Sequence, residues 1–190
     1  MLRFAPRLRA SLAAPSALVA LALLALAPAP ARAQAPASLG FLGFSPGDSV
    51  ATLGARVTEL GGRPLRCNRS RTDPRVQECR ATLVDPERGA PLELWASAID
   101  GVAGVITLSG RLGGDQLDQW REALETSYGR AGARVQGPQW SMQWVRRGRM
   151  LRLTWRVEKG EKVASVSLVD GRTLDDWGRT RAGRASRGGG

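Results

Sequence analysis

Apolar and polar residues alternate in three consecutive runs between positions 140 and 168, a period-2 pattern that predicts β-strands. Short polar turns at 147–148 and 158–161 separate the runs, so the strands form an antiparallel meander. The first turn would place three cross-strand pairs on one face: Trp144 with Leu151, Met142 with Leu153, and Trp140 with Trp155. A one-residue slip would turn every one of these side chains outward, so the register is self-consistent.

The first half of the chain begins with a predicted helix. Ser45 suits the N-cap, Pro46 suits the first helical position, and Gly61-Gly62 supplies a left-handed stop. The helix has an apolar stripe at 3–4 spacing, formed by Val50, Leu53, Val57 and Leu60. We therefore expect the helix to bury one face.

Four strands are predicted after this helix. The first two carry Cys67 and Cys79, with a bend at 72–74 between them, and the third and fourth join at the hairpin signal Asp100-Gly101. The two cysteines are the only ones in the chain, which favours a disulfide over free or metal-bound thiols, since zinc would need two further soft ligands. If the cysteines pair across the ladder, Leu65 faces Ala81.

A second helix runs from a cap at Asp115 to Gly129, with an apolar stripe of Leu117, Trp120, Leu124 and Tyr128. The residue pattern at its start resembles that at the start of the first helix, 67 residues earlier. This internal similarity, a sequence echo between the two helices, predicts half-repeats at 45–112 and 113–177. Either an ancient duplication or two amphipathic helices that start alike would explain it. The whole pattern predicts an α+β fold in the order α-β-β-β-β-α-β-β-β, with both helices packed on one face of the antiparallel sheet.

The ends of the chain predict its location. Residues 1–33 have the basic start, apolar run and Ala31-Arg32-Ala33 site of a secretory signal, and the run is shorter than the ~20 residues of a membrane span. No cysteine lies near the cleavage site, so we expect a periplasmic or secreted protein without a lipid anchor. Residues 34–44 are predicted to be a flexible leader, 45–177 a single domain, and 178–190 a disordered Arg/Gly tail.

Basic charge is concentrated at both ends. The formal net charge is +11, and 26 of the 28 basic residues are arginine, a bias that either a GC-rich coding sequence or anion binding would explain. Four arginines leave with the signal and four lie in the tail, so residues 34–177 carry only +3. The tail residues Arg179, Arg181, Arg184 and Arg187 could bind anionic surface polymers or lipid headgroups, or could simply keep the protein soluble. Without interleaved aromatic residues, the tail does not predict sequence-specific nucleic-acid binding.

The chain contains no histidine, which removes the commonest general base and metal ligand. The pattern Gly43-Phe44-Ser45-Pro46-Gly47 resembles a nucleophile elbow, but an elbow requires a histidine partner, so we interpret Ser45 as a helix cap. The carboxylates of the second helix lie on one face at 3–4 spacing, which a solvated helix face explains. We predict no catalytic residue, no metal site, no cofactor and no enzymatic activity.

Trp95 stands out because it alternates with the apolar residues of its strand. It shares the opposite face with Glu93 and Ser97. An aromatic ring on an open sheet face is typical of a binding hot spot, whereas burial by a loop or by the tail would give it a structural role.

The opening Gly43-Phe44-Ser45, followed by Val50 and Leu53-Gly54, resembles small exported α+β proteins of the beta-lactamase inhibitory protein and outer-membrane assembly lipoprotein type. The chain departs from that group because its first helix continues past Gly54 to Leu60 and because it has no lipid-anchoring cysteine. The resemblance implies non-enzymatic binding of protein partners. The expected function is thus an envelope protein-interaction module that uses the open sheet face around Trp95 and neighbouring basic residues, with polyanion or envelope-surface binding by the tail as the alternative.

Overall fold

The computed structural model describes residues 38–87 and 89–187, and it describes side chains as far as residue 180. The predicted signal at 1–33 lies outside the described residues. The helices are α1 (Val50–Glu59), α2 (Gln116–Tyr128) and α3 (Gly171–Arg187). The strands are β1 (Arg66–Arg69), β2 (Val76–Val84), β3 (Pro91–Ile99), β4 (Val102–Leu112), β5 (Arg134–Gln136), β6 (Gln139–Arg146), β7 (Arg149–Glu158) and β8 (Glu161–Asp170).

All eight strands form one antiparallel sheet in the order β1-β2-β3-β4-β8-β7-β6-β5. The α+β class and the antiparallel sheet are confirmed. The predicted order lacked two elements, β5 and α3. The three-residue strand β5 is too short to show an alternating pattern and lies between Gly129 and the predicted meander.

The register of the C-terminal meander is the predicted one. Trp140 lies opposite Trp155, Met142 opposite Leu153, and Trp144 opposite Leu151. The turn at Arg147-Gly148 has positive φ at both residues, which is the geometry of a tight hairpin. The two pairs nearer this turn are buried, whereas the rings of Trp140 and Trp155 stack at the half-buried edge with their centroids 6.4 Å apart.

One hydrophobic core contains residues of α1, of α2 and of the strands. It contains Leu53 and Val57 of α1 and Leu117, Trp120 and Leu124 of α2, together with residues from one face of the strands. These helix residues are the predicted apolar stripes. Their burial supplies most of the stabilisation of helices this short.

The prediction of a flexible leader at 34–44 is wrong for its described second half. Leu39, Phe41 and Phe44 are buried in the core. The ring of Phe41 meets Trp120 edge-on at 4.8 Å between centroids, and the Tyr128 hydroxyl donates to the Gly40 carbonyl oxygen at 2.7 Å. A segment this short is held by contacts with α2 that no local pattern reveals.

Helix α1 begins later than predicted. Its N-cap is Ser49, whose hydroxyl accepts from the Thr52 backbone N–H at 3.0 Å, whereas Ser45 precedes a turn. The turn passes through Gly47, whose φ of +87° no helix allows. The predicted end is confirmed, with Leu60 as C-cap and Gly61 in the left-handed region.

The prediction of a disordered tail is wrong for residues 178–187, which belong to α3; residues 188–190 lie outside the described part of the chain. The buried Asp170 carboxylate starts this helix by accepting from the backbone N–H groups of Arg172 and Thr173, at 3.0 and 3.2 Å. Arg149 donates to the other oxygen of Asp170 at 3.0 Å. The cap satisfies backbone amides at the start of α3 that have no partner within the helix.

The two halves of the chain follow the same plan. Each has one helix followed by four strands, and the halves meet where β4 pairs with β8. Gly47 and Gly114, which are equivalent in the sequence echo, both have positive φ. Duplication stays a hypothesis, but the repeated plan explains why the strand order is symmetrical about the β4–β8 junction.

Candidate functional site

The two faces of the sheet differ in character. Along β2, β3 and β4 the core-facing residues are mostly buried, and the alternate residues on the opposite face are exposed or half-buried, except for Ile99, which is buried. We call this opposite surface the open face. Near its centre the hydroxyls of Thr107 and Ser167 lie 3.1 Å apart, and those of Thr154 and Ser165 lie 2.7 Å apart. The centre is therefore lined by small, mutually hydrogen-bonded side chains that project only a short way from the sheet.

The predicted disulfide is confirmed. The sulfur atoms of Cys67 and Cys79 are bonded at 2.00 Å, and the two residues lie directly opposite each other on β1 and β2. Cys79 is fully buried on the core side. Because side chains alternate, the neighbouring pair Arg66 and Arg80 lies on the open face. The disulfide thus fixes the register that brings these two arginines together.

Trp95 lies at the centre of β3 on the open face, opposite Arg80 of β2 and Thr107 of β4. Its ring is half-buried and faces a pocket of about 530 Å³. We call this the Trp95 pocket; its lining includes Arg63, Pro64, Arg66, Arg80, Glu93 and Trp95. Trp95 lies on the open face, as its alternation along β3 predicts, and the loop between α1 and β1 contributes Arg63 and Pro64 to the lining, whereas no described residue of α3 does.

The other two predicted contact residues occupy different places. Glu93 lies in the lining of the Trp95 pocket and is opposite Thr82 and Ser109. Ser97 lies one cross-strand pair further along the open face, opposite Glu78, and is outside the lining. The structure therefore brings Trp95 and Glu93 together and leaves Ser97 beside them.

Basic residues beside Trp95 were expected from the sequence, but the individual arginines of this pocket were not identified. Arg66 and Arg80 are directly opposed across the ladder, and Arg63 lies in the same lining. The signal was present, because pairing Cys67 with Cys79 puts the preceding and following residues opposite each other. Like charges in this position destabilise a sheet.

These pocket charges have no ion-pair partner among the described residues. No salt bridge there joins Arg63, Arg66, Arg80 or Glu93 to another side chain. Elsewhere on the sheet Arg111 pairs with Glu161 at 2.7 Å. The Trp95 pocket is therefore a positive patch that the described fold leaves uncompensated.

The four tail arginines belong to α3 instead of a flexible segment. Arg179 forms an ion pair with Asp176, and Arg181, Arg184 and Arg187 follow on the same helix. Of these four residues, Arg179 is already paired within α3.

Helix α3 is attached to the β1–β2 loop through one carboxylate. The Trp177 indole N–H donates to Asp73 at 3.0 Å, and Arg75 donates to both oxygens of Asp73, at 3.1 and 2.8 Å. The Arg75 hydrogen bond, helped by that of Trp177, holds the pKa of Asp73 well below its usual range. The same carboxylate raises the pKa of Arg75.

We expect Asp73→Asn to loosen α3 without unfolding the sheet, because the amide cannot accept both donors as a carboxylate does. A depressed folded-state pKa contributes stability above the ordinary carboxyl pKa, and that stability is lost as pH falls through the folded-state value. Amide hydrogen exchange in residues 171–180 should therefore rise in the variant, and in the wild type only under strongly acidic conditions. Asp115→Asn, at a side chain that makes no cap hydrogen bond to α2, is the matched control. Unchanged exchange in Asp73→Asn would contradict this account.

No family model, no curated protein and no solved structure matches this chain. The resemblance to small exported binding proteins thus rests on the quoted residues and stays a prediction. Within residues 38–87 and 89–187, no cluster of three or more acidic or cysteine side chains could hold a metal ion. Nor does any helix in that part of the chain have the length and apolar character needed to cross a membrane.

Proposed function

We propose that this chain is a non-catalytic protein-interaction module of the cell envelope that binds its partner with the open face around Trp95. In this proposal the signal at 1–33 directs export to the periplasm or the exterior, and no lipid anchor follows. The chain acts without a cofactor and without enzymatic activity. The half-buried Trp95 ring beside uncompensated arginines is the observation that carries the proposal.

The two-faced sheet supports a binding role. In the proposed arrangement α1 and α2 cover one face, since their buried residues share a core with it, and the other face remains available. Tryptophan and arginine are enriched at the energetic centres of protein interfaces. A rigid antiparallel sheet also presents side chains at fixed spacing, which limits the ordering cost of binding.

The disulfide supports export. Disulfides persist in oxidising compartments such as the periplasm and are rare in the cytosol. The bond links the edge strand β1 to β2. All four residues of β1 are exposed, whereas Cys79 of β2 faces the core. Such a strand would otherwise depend on few buried contacts.

The absence of histidine from the whole sequence supports a non-catalytic role. Nucleophilic hydrolysis and most proton transfers use this side chain. The open face instead offers tryptophan, arginine and hydroxyl groups, which are recognition chemistry.

Trp95→Ala tests this function. Mature protein should capture a defined partner from an extract of its own cell envelope at physiological salt, and the variant should bind the purified partner about 30-fold more weakly, as expected for a hot-spot tryptophan. Val145→Ala is the control, because Val145 is exposed on the open face of β6, far from Trp95. Equal affinities of Trp95→Ala and wild type would contradict the proposal.

The alternative proposal is attachment to anionic polymers or lipid headgroups through Arg179, Arg181, Arg184 and Arg187. Such binding should fall steeply between about 50 and 200 mM salt, because it releases counterions. A protein truncated after Trp177 would then lose binding that the full chain retains. Binding by the open face should survive both changes.

A further inference from the structure

We infer that the Trp95 pocket takes an acidic peptide segment, with carboxylates between Arg66 and Arg80 and a neighbouring apolar side chain against Trp95. This inference rests on the proposed function and specifies its partner chemistry. It starts from the directly opposed arginines on β1 and β2. Directly opposed like charges are unfavourable, and the disulfide holds these two in place.

A carboxylate is the complement of this pair. The guanidinium group of arginine presents parallel N–H donors that match the two oxygens of a carboxylate. Neither Arg66 nor Arg80 has an acidic partner within 4.0 Å among the described side chains, so their donors are available to a ligand. An incoming carboxylate would also remove the repulsion between the two arginines. Binding would therefore stabilise β1 against β2.

The wall next to the arginines is apolar. Trp95 lies directly opposite Arg80, and Pro64 lines the same pocket. A volume of about 530 Å³ lies within the ~300–1,000 Å³ of typical ligand sites and admits several side chains. The segment therefore needs at least one apolar or aromatic residue beside its acidic ones.

The pocket also discriminates against long polyanions. Glu93 lies in the lining and adds a negative charge beside the arginines, which disfavours a continuous run of phosphates more than a peptide whose carboxylates are separated by neutral residues. Asn68 lies at the other side and offers an amide that donates and accepts. The lining thus combines positive, negative and neutral polar groups with an excess of positive charge, which fits a peptide that carries both acidic and neutral residues.

The test uses the oxidised mature protein and two seven-residue peptides, Gly-Ser-Glu-Phe-Glu-Ser-Gly and the same peptide with glutamine in place of both glutamates. Titration is followed by the indole N–H resonance of Trp95 in nuclear magnetic resonance spectra. We expect the acidic peptide to shift this resonance and the neutral peptide to bind at least tenfold more weakly. The double variant Arg66→Ser/Arg80→Ser should weaken binding of the acidic peptide by about tenfold or more.

Arg152→Ser is the matched control. Arg152 is an exposed arginine on the same face, but on β7 and outside the Trp95 pocket. This variant should bind the acidic peptide as wild type does. Equal affinity for the two peptides, or an equal loss in Arg152→Ser, would overturn the inference. Tighter binding of an oligothymidylate than of the acidic peptide at physiological salt would show a polyanion site and also overturn it.

A stability measurement separates binding from structure. Because Arg66 and Arg80 repel each other, Arg66→Ser should leave the thermal midpoint unchanged or raise it while affinity falls. A midpoint several degrees lower would show that the arginine supports the fold instead. If Trp95→Ala loses the envelope partner and Arg66→Ser/Arg80→Ser does not, the proposed function stands and the acidic-peptide inference fails. If neither variant loses the partner, both fail.

Discussion

Replacing Trp120 by alanine should lower the free energy of unfolding by about 3–5 kcal/mol, the range for deleting a large buried aromatic side chain. Trp120 is the largest of the fully buried side chains among the described residues. It meets Phe41 edge-on and donates its indole N–H to the buried Asp85 carboxylate at 2.9 Å. The substitution therefore opens a cavity and removes a charge-assisted hydrogen bond at once. Three separate parts of the chain would lose their common contact.

Trp120→Phe separates the effect of the lost hydrogen bond from the effect of the cavity. It keeps an aromatic ring beside Phe41 but cannot donate to Asp85, so we expect a loss of about 1.5–3 kcal/mol. Urea unfolding followed by circular dichroism measures both variants, because fluorescence would change with the tryptophan itself. The midpoint should fall while the denaturant slope stays constant. A loss below about 1 kcal/mol for Trp120→Ala would show that the segment containing Phe41 is not part of the folded core.

Removing the disulfide with Cys67→Ser and Cys79→Ala should lower the free energy of unfolding by about 3 kcal/mol, which chain entropy predicts for a loop of this length. The two cysteines are 12 residues apart in sequence. Alanine suits position 79 because that side chain is fully buried, and serine suits the exposed position 67. The substitutions should also release β1, whose residues are all exposed.

Hydrogen exchange locates this effect. Amides of residues 66–69 and their partners on β2 should exchange much faster in the double variant, while residues 161–170 of β8 should change only through global stability. Wild type treated with a reductant should behave as the variant does. Binding to the Trp95 pocket should weaken as well, since β1 forms one wall of it. Equal protection of residues 66–69 with and without the disulfide would contradict this account.

The sequence predicted those elements whose pattern is local. The meander register followed from period-2 alternation and a two-residue turn, and the disulfide followed from two cysteines on adjacent strands. The predicted N-cap of α1 was four residues too early. Ser45 and Ser49 are both adequate caps, and only the positive φ of Gly47 decides between them. Local rules leave such choices to tertiary context.

The missed elements depend on distant partners. The leader residue Phe41 is buried against Trp120, and α3 is capped by Asp170 and tied through Trp177 to Asp73, 104 residues away. Glycines at 171, 178 and 183 made a helix improbable on propensity alone. Only the folded sheet brings these partners together.

Only part of the candidate site could be predicted from the sequence, again because the rest depends on residues that are distant in the chain. Alternation along β3 placed Trp95 and Glu93 on the open face, where the structure has them. The register of β2 against β3, which sets Arg80 opposite Trp95, crosses a polar loop and cannot be read from local spacing. The position of Trp95 beside the like-charged pair therefore emerged only from the assembled sheet.

Photo-cross-linking measures most directly whether the open face binds the partner. A photoreactive phenylalanine analogue would replace Trp95 in one protein, Val145 in a second and Arg184 in a third, and each would be irradiated with envelope extract at physiological salt. The account predicts a specific adduct from position 95 alone, abolished by excess unlabelled wild type but not by excess Arg66→Ser/Arg80→Ser protein. An adduct from position 184 without one from position 95 would contradict it and assign binding to α3.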